Sequence, residues 1–176
     1  MREFDTAVRA GRLVCPASGI DSPGTVLIDG DRIAGILTSD SDPLGANQVF
    51  DFPDGIVLPG LVDLHAHPAN AGSVFGVSPD AHMLPRGVTT VLSQGDAGAD
   101  NIDEYVETTI NASRTRVLLA INLSRVGEST TQGCLENLDD ADIDACVAAT
   151  ERHREHIPAI AVNVSHHCCG STDPRE

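Results

Sequence analysis

The fold is decided by residues 58–68, which read LPGLVDLHAHP. The apolar run reaches Leu64, and two histidines, His65 and His67, follow on either side of Ala66. Side chains two residues apart lie on the same face of a β-strand, so this stretch predicts a strand that presents two imidazoles at its carboxyl end. Neutral imidazoles are suitable ligands for a borderline metal ion. We therefore predict that His65 and His67 bind a divalent metal, with Zn²⁺ as the expected ion.

The sequence after residue 56 alternates apolar runs with helix starts. The runs occupy residues 56–64, 88–92, 116–123 and 159–164, and the helix starts lie at Ser78–Asp80, Asn101–Glu104 and Asp139 or Asp140. The third helix is expected to run to about residue 157 and to bury Ile143, Cys146 and Val147, which recur at i, i+3 and i+4. Nearly continuous apolar strands indicate a sheet covered on both faces. This order predicts an α/β fold with four parallel β/α units.

Residues 1–56 have a different pattern, that of short strands joined by turns. The strands at 25–28 and 32–37 flank Asp29-Gly30-Asp31, which is a strong hairpin signal. Two further strands, at 6–9 and 12–15, are expected on either side of a turn at Gly11, and residues 38–47 are expected to form a loop. We therefore divide the chain into a β segment, residues 1–56, and a β/α segment, residues 57–176.

Composition excludes several classes of protein. The net charge is −15, and the 11 basic residues are all Arg, without one Lys. Such a chain is a poor nucleic-acid binder, since phosphate contacts need clustered Lys and Arg. No apolar run approaches the roughly 20 residues of a membrane helix, and the acidic N-terminus is not a secretory signal. We expect a cytoplasmic protein with five reduced cysteines and without a nucleic-acid or membrane partner.

Residues 58–68, in their place between a β segment and a β/α series, resemble the first barrel strand of the amidohydrolase superfamily. The hairpin at 26–36 and Gly87-Val88-Thr89-Thr90-Val91 resemble the family's usual hairpin and second barrel strand. Residues 113–124 are similar to the deacetylase and dihydroorotase-like branch. The resemblance implies a small N-terminal β-sandwich and a TIM-like (β/α)8 barrel. It also implies a metal-dependent hydrolase that attacks an acyl, amide or cyclic-amide bond of a small-molecule substrate with metal-activated water.

The resemblance also assigns individual residues. His65 and His67 match the family's His-x-His metal ligands, and Asp63 matches an acid with a structural or supporting role. The lysine that bridges two metals in binuclear members would fall at Ala161, and the 176 residues contain no Lys at any position. The family's later His ligands and its Asp base would lie beyond residue 176. No catalytic residue is therefore assigned.

Length adds an expectation about completeness. A (β/α)8 barrel needs about 250 residues, so residues 57–176 are expected to form a truncated barrel of four β/α units. Asp173-Pro174-Arg175-Glu176 resembles the first turn of another helix. Open sheet edges predict self-association or a second half-barrel chain as partner. The alternative to an enzyme is a non-catalytic amidohydrolase-like fragment or subunit.

A second group of metal-binding residue types occupies residues 166–169, which read HHCC. If the fourth strand continued, His166 and Cys168 would share one face and could complete the site of His65 and His67. The other reading is a loop in which these side chains have no common role. Gly95–Gly98 follows the second strand of the series on the expected active-site side, where a turn is favoured over a substrate loop. His82 is interpreted as a surface or packing residue, His153 and His156 as surface residues, and Cys134 and Cys146 as packing residues.

Overall fold

A computed structural model describes residues 4–38 and 45–172. The helix start expected at Asp173–Glu176 and most of the loop expected at 38–47 lie outside the described residues. The chain separates into two compact units, Met1–Pro59 and Gly60–Glu176. The longest α-helix in the described ranges has 10 residues, and none of the helices there is long and apolar enough to cross a membrane.

The first unit is a four-stranded sheet in the order β3-β2-β1-β4. Its strands are β1 (Phe4–Cys15), β2 (Ile20–Asp29), β3 (Arg32–Leu37) and β4 (Ala46–Val57), with a short 3-10 turn at Pro16–Ser18. The pair β1–β4 is parallel, and the other two pairs are antiparallel. The hairpin expected at Asp29-Gly30-Asp31 is confirmed, because Asp29 pairs with Arg32 and Gly30 has φ +60°. Positive φ suits glycine, which has no β-carbon to clash.

The turn expected at Gly11 is wrong. β1 runs through this position as one strand, with a register shift between Ala10 and Leu13 against β2. A β-carbon on Gly11 would lie 1.8 Å from the carbonyl oxygen of Pro53 in β4. Glycine is therefore needed here for a close approach of two strands and not for a turn.

The second unit is a parallel sheet in the order β5-β6-β7-β8, and this confirms the mixed α/β class. Its strands are β5 (Leu61–Ala66), β6 (Val88–Gln94), β7 (Arg116–Asn122) and β8 (Ala159–Ala161). The helices are α1 (Pro79–His82), α2 (Ile102–Tyr105), α3 (Ile143–Arg152) and α4 (His166–Cys169). A π-helical turn, Val106–Ile110, continues α2, and 3-10 turns lie at Leu84–Arg86 and Leu138–Asp140.

Two strands differ from the expected ranges. The apolar run at 56–64 is divided between strands, since β4 continues to Val57 and β5 begins only at Leu61. Gly60 precedes β5 where a β-carbon would lie 2.0 Å from the Thr89 hydroxyl oxygen, so the chain enters β5 in close contact with β6. The fourth strand ends at Ala161 and not at Val164.

The core lies around the two central strands. Val91 of β6 and Leu119 and Ile121 of β7 are fully buried, together with Ile102 of α2. The expectation that every strand is covered on both faces is wrong for the outer strands, β5 and β8. Their large apolar side chains are exposed: Val62 60%, Leu64 68% and Ile160 56%. Side chains of a strand point to the two faces of the sheet, so the exposure shows that the faces of β5 and β8 are less well covered than those of the central strands.

The third helix also differs from its prediction. Its N-cap is Asp142, whose carboxylate accepts the backbone N–H of Ala145, and the helix ends at Arg152. Cys146 is buried, but Ile143 and Val147 are 67% and 48% exposed. Ala149 is the other buried residue of α3, so the helix packs on the core with a face different from the predicted one.

We expect Gly11→Ala to lower the free energy of unfolding by about 1–3 kcal/mol, because the added methyl group collides with Pro53. Gly35→Ala is the matched control in β3, where a β-carbon meets nothing within 4 Å, and its effect should stay within about 0.5 kcal/mol. Urea denaturation of both variants measures the difference. Equal changes in the two variants would contradict the close approach of β1 and β4.

Candidate metal centre

His65 and His67 lie together at the carboxyl end of β5. Their ring centroids are 6.0 Å apart, and the rings are nearly perpendicular at 81°. His65 is exposed and His67 is half-buried. Both line an open cleft of about 560 Å³ along with residues from the ends of the neighbouring strands and loops, Gln94, Glu128, Ala161 and Asn163 among them. The structure thus brings the two predicted ligands to one cleft at the strand ends.

Asp96 holds His67 in place. Its carboxylate is buried, and its Oδ1 lies 2.9 Å from His67 Nδ1. The hydroxyl of Ser93, at the end of β6, donates to the other carboxylate oxygen. The hydrogen bond from His67 to Asp96 raises the pKa of the imidazole above its ordinary value, although partial burial opposes the shift. With Nδ1 engaged by Asp96, Nε2 is the nitrogen left for a ligand.

The backbone around His65 is held by two side-chain contacts. Asp63 accepts the backbone N–H of His65 at 3.0 Å. Gln94 Nε2 donates to the carbonyl oxygen of Leu64 at 2.8 Å and so ties the end of β6 to β5. These contacts orient the strand end that carries both imidazoles, which suits the structural role expected for Asp63.

Ala161 lines the same cleft and pairs with Asn122 of β7. The family resemblance matches this position to the lysine that bridges two metals. A methyl group has no lone pair to donate to a metal, and the sequence has no Lys. A carboxylated-lysine bridge therefore cannot form at this position.

The strand continuation considered for residues 166–169 does not form. β8 ends at Ala161, and His166–Cys169 form the short helix α4. Both histidines of this segment are exposed and both thiols are buried, so His166 and Cys168 do not share a face. Among residues 4–38 and 45–172, no group of three close metal-binding side chains joins Cys168 to His65 or His67.

Cys168 instead meets two residues from the loop after β7. One ligand atom each of Glu128, Cys134 and Cys168 lie within 4.8 Å of one another. Burial raises the pKa of the Cys134 thiol to about 12, with a further contribution from the nearby Cys168, and burial likewise raises the pKa of Cys168. Glu128 also accepts a hydrogen bond from Asn163 at 3.2 Å.

The sequence reasoning missed three residues of these sites. Asp96 belongs to a stretch for which the sequence favours a turn over a substrate loop, without a role for Asp96 itself. Cys134 is expected to serve packing alone, and Glu128 is not singled out. A signal for Asp96 did exist, since an acid that follows the second of two parallel strands lies at the same sheet edge as His67. Of the remaining histidines, His82 is exposed, and His153 lies 2.6 Å from Asp103.

We expect Asp96→Asn to lower the pKa of His67, since the bond to the carboxylate is the main cause of the raised value. A raised folded-state pKa stabilises the protein below the unfolded pKa of about 6.5, and this stability is lost as pH rises through the folded pKa. The loss of unfolding free energy in Asp96→Asn should therefore be larger below pH 6.5 than above the folded pKa. NMR titration of the His67 ring and denaturation at several pH values, both with a chelator, test this.

Asp63→Asn is the matched control, because Asp63 contacts the backbone of His65 and not a ring nitrogen. Its effect on stability should not change across the same pH range, and the His67 titration should remain in place. A His67 pKa that is equal in the wild type and in Asp96→Asn would overturn this account of the pair.

The chain was compared in sequence and in fold with known proteins. No protein-family model matches the chain. A deacetylase of Agrobacterium fabrum is 31% identical over 149 residues, and a deacetylase of Brucella anthropi is 30% identical over 154 residues. These alignments cover 83% and 86% of this chain but 36% and 38% of the relatives, so the chain spans less than two fifths of their length.

Solved structures agree with the sequence relatives. A dihydroorotase crystal structure matches with a TM-score of 0.83 and 28% identity over 94% of this chain and 44% of that one. An adenine deaminase matches in fold with a TM-score of 0.73 at 23% identity. The parallel sheet of the second unit forms a curled half-barrel, which matches the dihydroorotase structure in fold. The chain belongs to the amidohydrolase superfamily and resembles its deacetylases and dihydroorotases.

Proposed function

We propose that the chain supplies the first two metal ligands of a metal-dependent hydrolase, which cleaves an acyl, amide or cyclic-amide bond in a small-molecule substrate. The observation that carries the proposal is the contact of His67 with buried Asp96 beside His65. A metal-binding histidine commonly gives its second nitrogen to a carboxylate, which fixes the ring and raises its basicity as a ligand. A bound Zn²⁺ would polarise a substrate carbonyl and lower the pKa of water.

The side chains at this site are of a type that binds such an ion, but there are fewer of them than a catalytic zinc ion needs. His65 and His67 are nitrogen donors, and Asp96 leaves Nε2 of His67 for the metal. A catalytic zinc site needs about three protein ligands and an open position. Within the described ranges, neither histidine belongs to a group of three closely spaced ligands. We infer that at least one further ligand comes from outside the described residues.

We propose that each of the two sheets is part of a larger architecture. We interpret the sheet of β1 to β4 as one layer of a β-sandwich, and β5 to β8 as four strands of a (β/α)8 barrel. The named relatives include deacetylases and dihydroorotases, which supports acetylated amines and cyclic amides as substrates. Five free thiols support a cytoplasmic location.

A specific observation favours a second function, that of a subunit or interaction protein. Val62, Leu64 and Ile160 are exposed on the two outer strands of the parallel sheet. Unpaired backbone groups at a sheet edge promote strand pairing, and exposed apolar side chains promote packing against another chain. A second copy or a second half-barrel chain that packed there would cover these residues and could bring the missing ligands.

We expect Zn²⁺ to shift the ring NMR signals of His65 and His67, and the double variant His65→Ala/His67→Ala to lose this site. Removal of first ligands should weaken zinc binding there by at least about 100-fold. Zinc-dependent hydrolysis of an N-acetylated amino acid or of dihydroorotate is the activity test, and His67→Ala should abolish it. His82→Ala is the control, because His82 is exposed on α1. Zinc that shifts neither ring would contradict the proposal.

We expect the isolated chain to self-associate through β5. Light scattering should show species larger than a monomer, and Val62→Ser/Leu64→Ser should reduce their fraction, because it removes exposed apolar area. Ile33→Ser is the matched control, since Ile33 is 68% exposed on β3 of the first unit. A compact monomer with a cooperative thermal transition would count against this interface.

A further inference from the structure

The group formed by Glu128, Cys134 and Cys168 has the chemistry of a metal site. Two thiols and a carboxylate from three separate positions converge, with one ligand atom of each within 4.8 Å of the others. Ligands of a tetrahedral Zn²⁺ lie at about 2.3 Å for sulfur and 2.0–2.2 Å for oxygen. Such bond lengths place the ligand atoms roughly 3.5–3.8 Å apart, so a movement of about 1 Å would close the group around an ion.

The backbone holds the two cysteine-bearing segments together. The N–H of Leu135 donates to the carbonyl oxygen of Cys168 at 2.9 Å. A β-carbon on Gly133 would lie 2.5 Å from that same oxygen, so a glycine is required beside Cys134 for the approach. The N–H of Cys168 is in turn bonded to the carbonyl oxygen of Ser165. The two thiols are therefore positioned by the backbone and do not meet by side-chain flexibility alone.

Two amides support the ligand atoms. Asn122 Nδ2 donates to the sulfur of Cys134 at 3.8 Å, and Asn163 Nδ2 donates to one carboxylate oxygen of Glu128 at 3.2 Å. Donors of this kind stabilise negative charge on a ligand and orient it toward a metal. The hydrogen bond from Asn163 therefore helps to hold the Glu128 carboxylate beside the two thiols.

The surroundings differ from those of a cysteine that only packs. Cys146 lies in the main core among apolar residues, whereas Cys134 and Cys168 form a separate small cluster next to a carboxylate. Both thiols are buried, at 2% and 1% exposure, while Glu128 also lines the open cleft. An ion could therefore reach the thiols from the side of Glu128.

We propose that Glu128, Cys134 and Cys168 bind a Zn²⁺-class ion through two thiolates and one carboxylate, with the fourth position open to water. Thiolate ligands select zinc-like ions over Mg²⁺ and Ca²⁺, which prefer oxygen. The ligand set shares no residue with the pair His65 and His67, so this site does not depend on the function proposed above. Binding of the ion to both thiols releases one proton from each of them.

Titration of the full chain with Co²⁺ under reducing conditions tests the site, because cobalt bound to thiolate gives an intense sulfur-to-metal charge-transfer absorption. We expect this absorption to saturate at one ion per chain and Zn²⁺ to displace it. Cys134→Ser and Cys168→Ser should each weaken Co²⁺ binding by at least about 100-fold, and Glu128→Gln should weaken it with the absorption retained. The double variant His65→Ala/His67→Ala should keep the absorption, whatever the outcome for the histidine pair.

Cys169→Ser is the matched control. Cys169 is as buried as Cys168 and neighbours it in α4, but it is not in the ligand group, so the absorption should survive its replacement. The proposal is overturned if the wild-type chain gives no charge-transfer absorption, or if the absorption persists in Cys134→Ser/Cys168→Ser. A Cys134–Cys168 disulfide that resists the reductant and blocks cobalt would also overturn it.

Discussion

Parallel pairing of β5 to β8 is the constraint on which both candidate sites depend. All four strands run in one direction, so their carboxyl ends meet at one edge of the sheet. His65 lies at the end of β5 and His67 just after it, Asp96 follows β6, and the loops after β7 and β8 carry Glu128 and Asn163. His65, His67, Glu128 and Asn163 thus line one cleft although they come from distant parts of the chain. An antiparallel arrangement would send alternate strand ends to opposite edges and separate them.

The two candidate sites at this edge of the sheet differ in charge and in burial. Asp96 is buried and faces His67, so the imidazole pair combines a fixed nitrogen ligand with access to solvent. Cys134 and Cys168 are buried, and Glu128, which lies beside them, lines the cleft. The first arrangement suits an ion that exchanges water and meets a substrate, and the second suits an ion held mainly by the protein.

Much of the fold was predictable because its signals are local. The Asp29-Gly30-Asp31 hairpin, the alternation of strands and helices, and the histidine pair all follow from neighbours in sequence. The errors concern contacts with distant residues. Gly11 is required by Pro53 of another strand, and the phase of α3 is set by the core that receives Cys146 and Ala149. No pattern within a short window contains that information.

The sequence by itself determined the family, the strand that carries His65 and His67, and the absence of any lysine for a metal bridge. Only the tertiary structure decided which side chains complete each site. It placed Asp96 against His67, turned the segment at 166–169 into a helix, and joined Cys168 to Cys134 and Glu128. The physical reason is that strand and turn preferences act between near neighbours, whereas a ligand set is defined by distances between segments that only chain packing brings together.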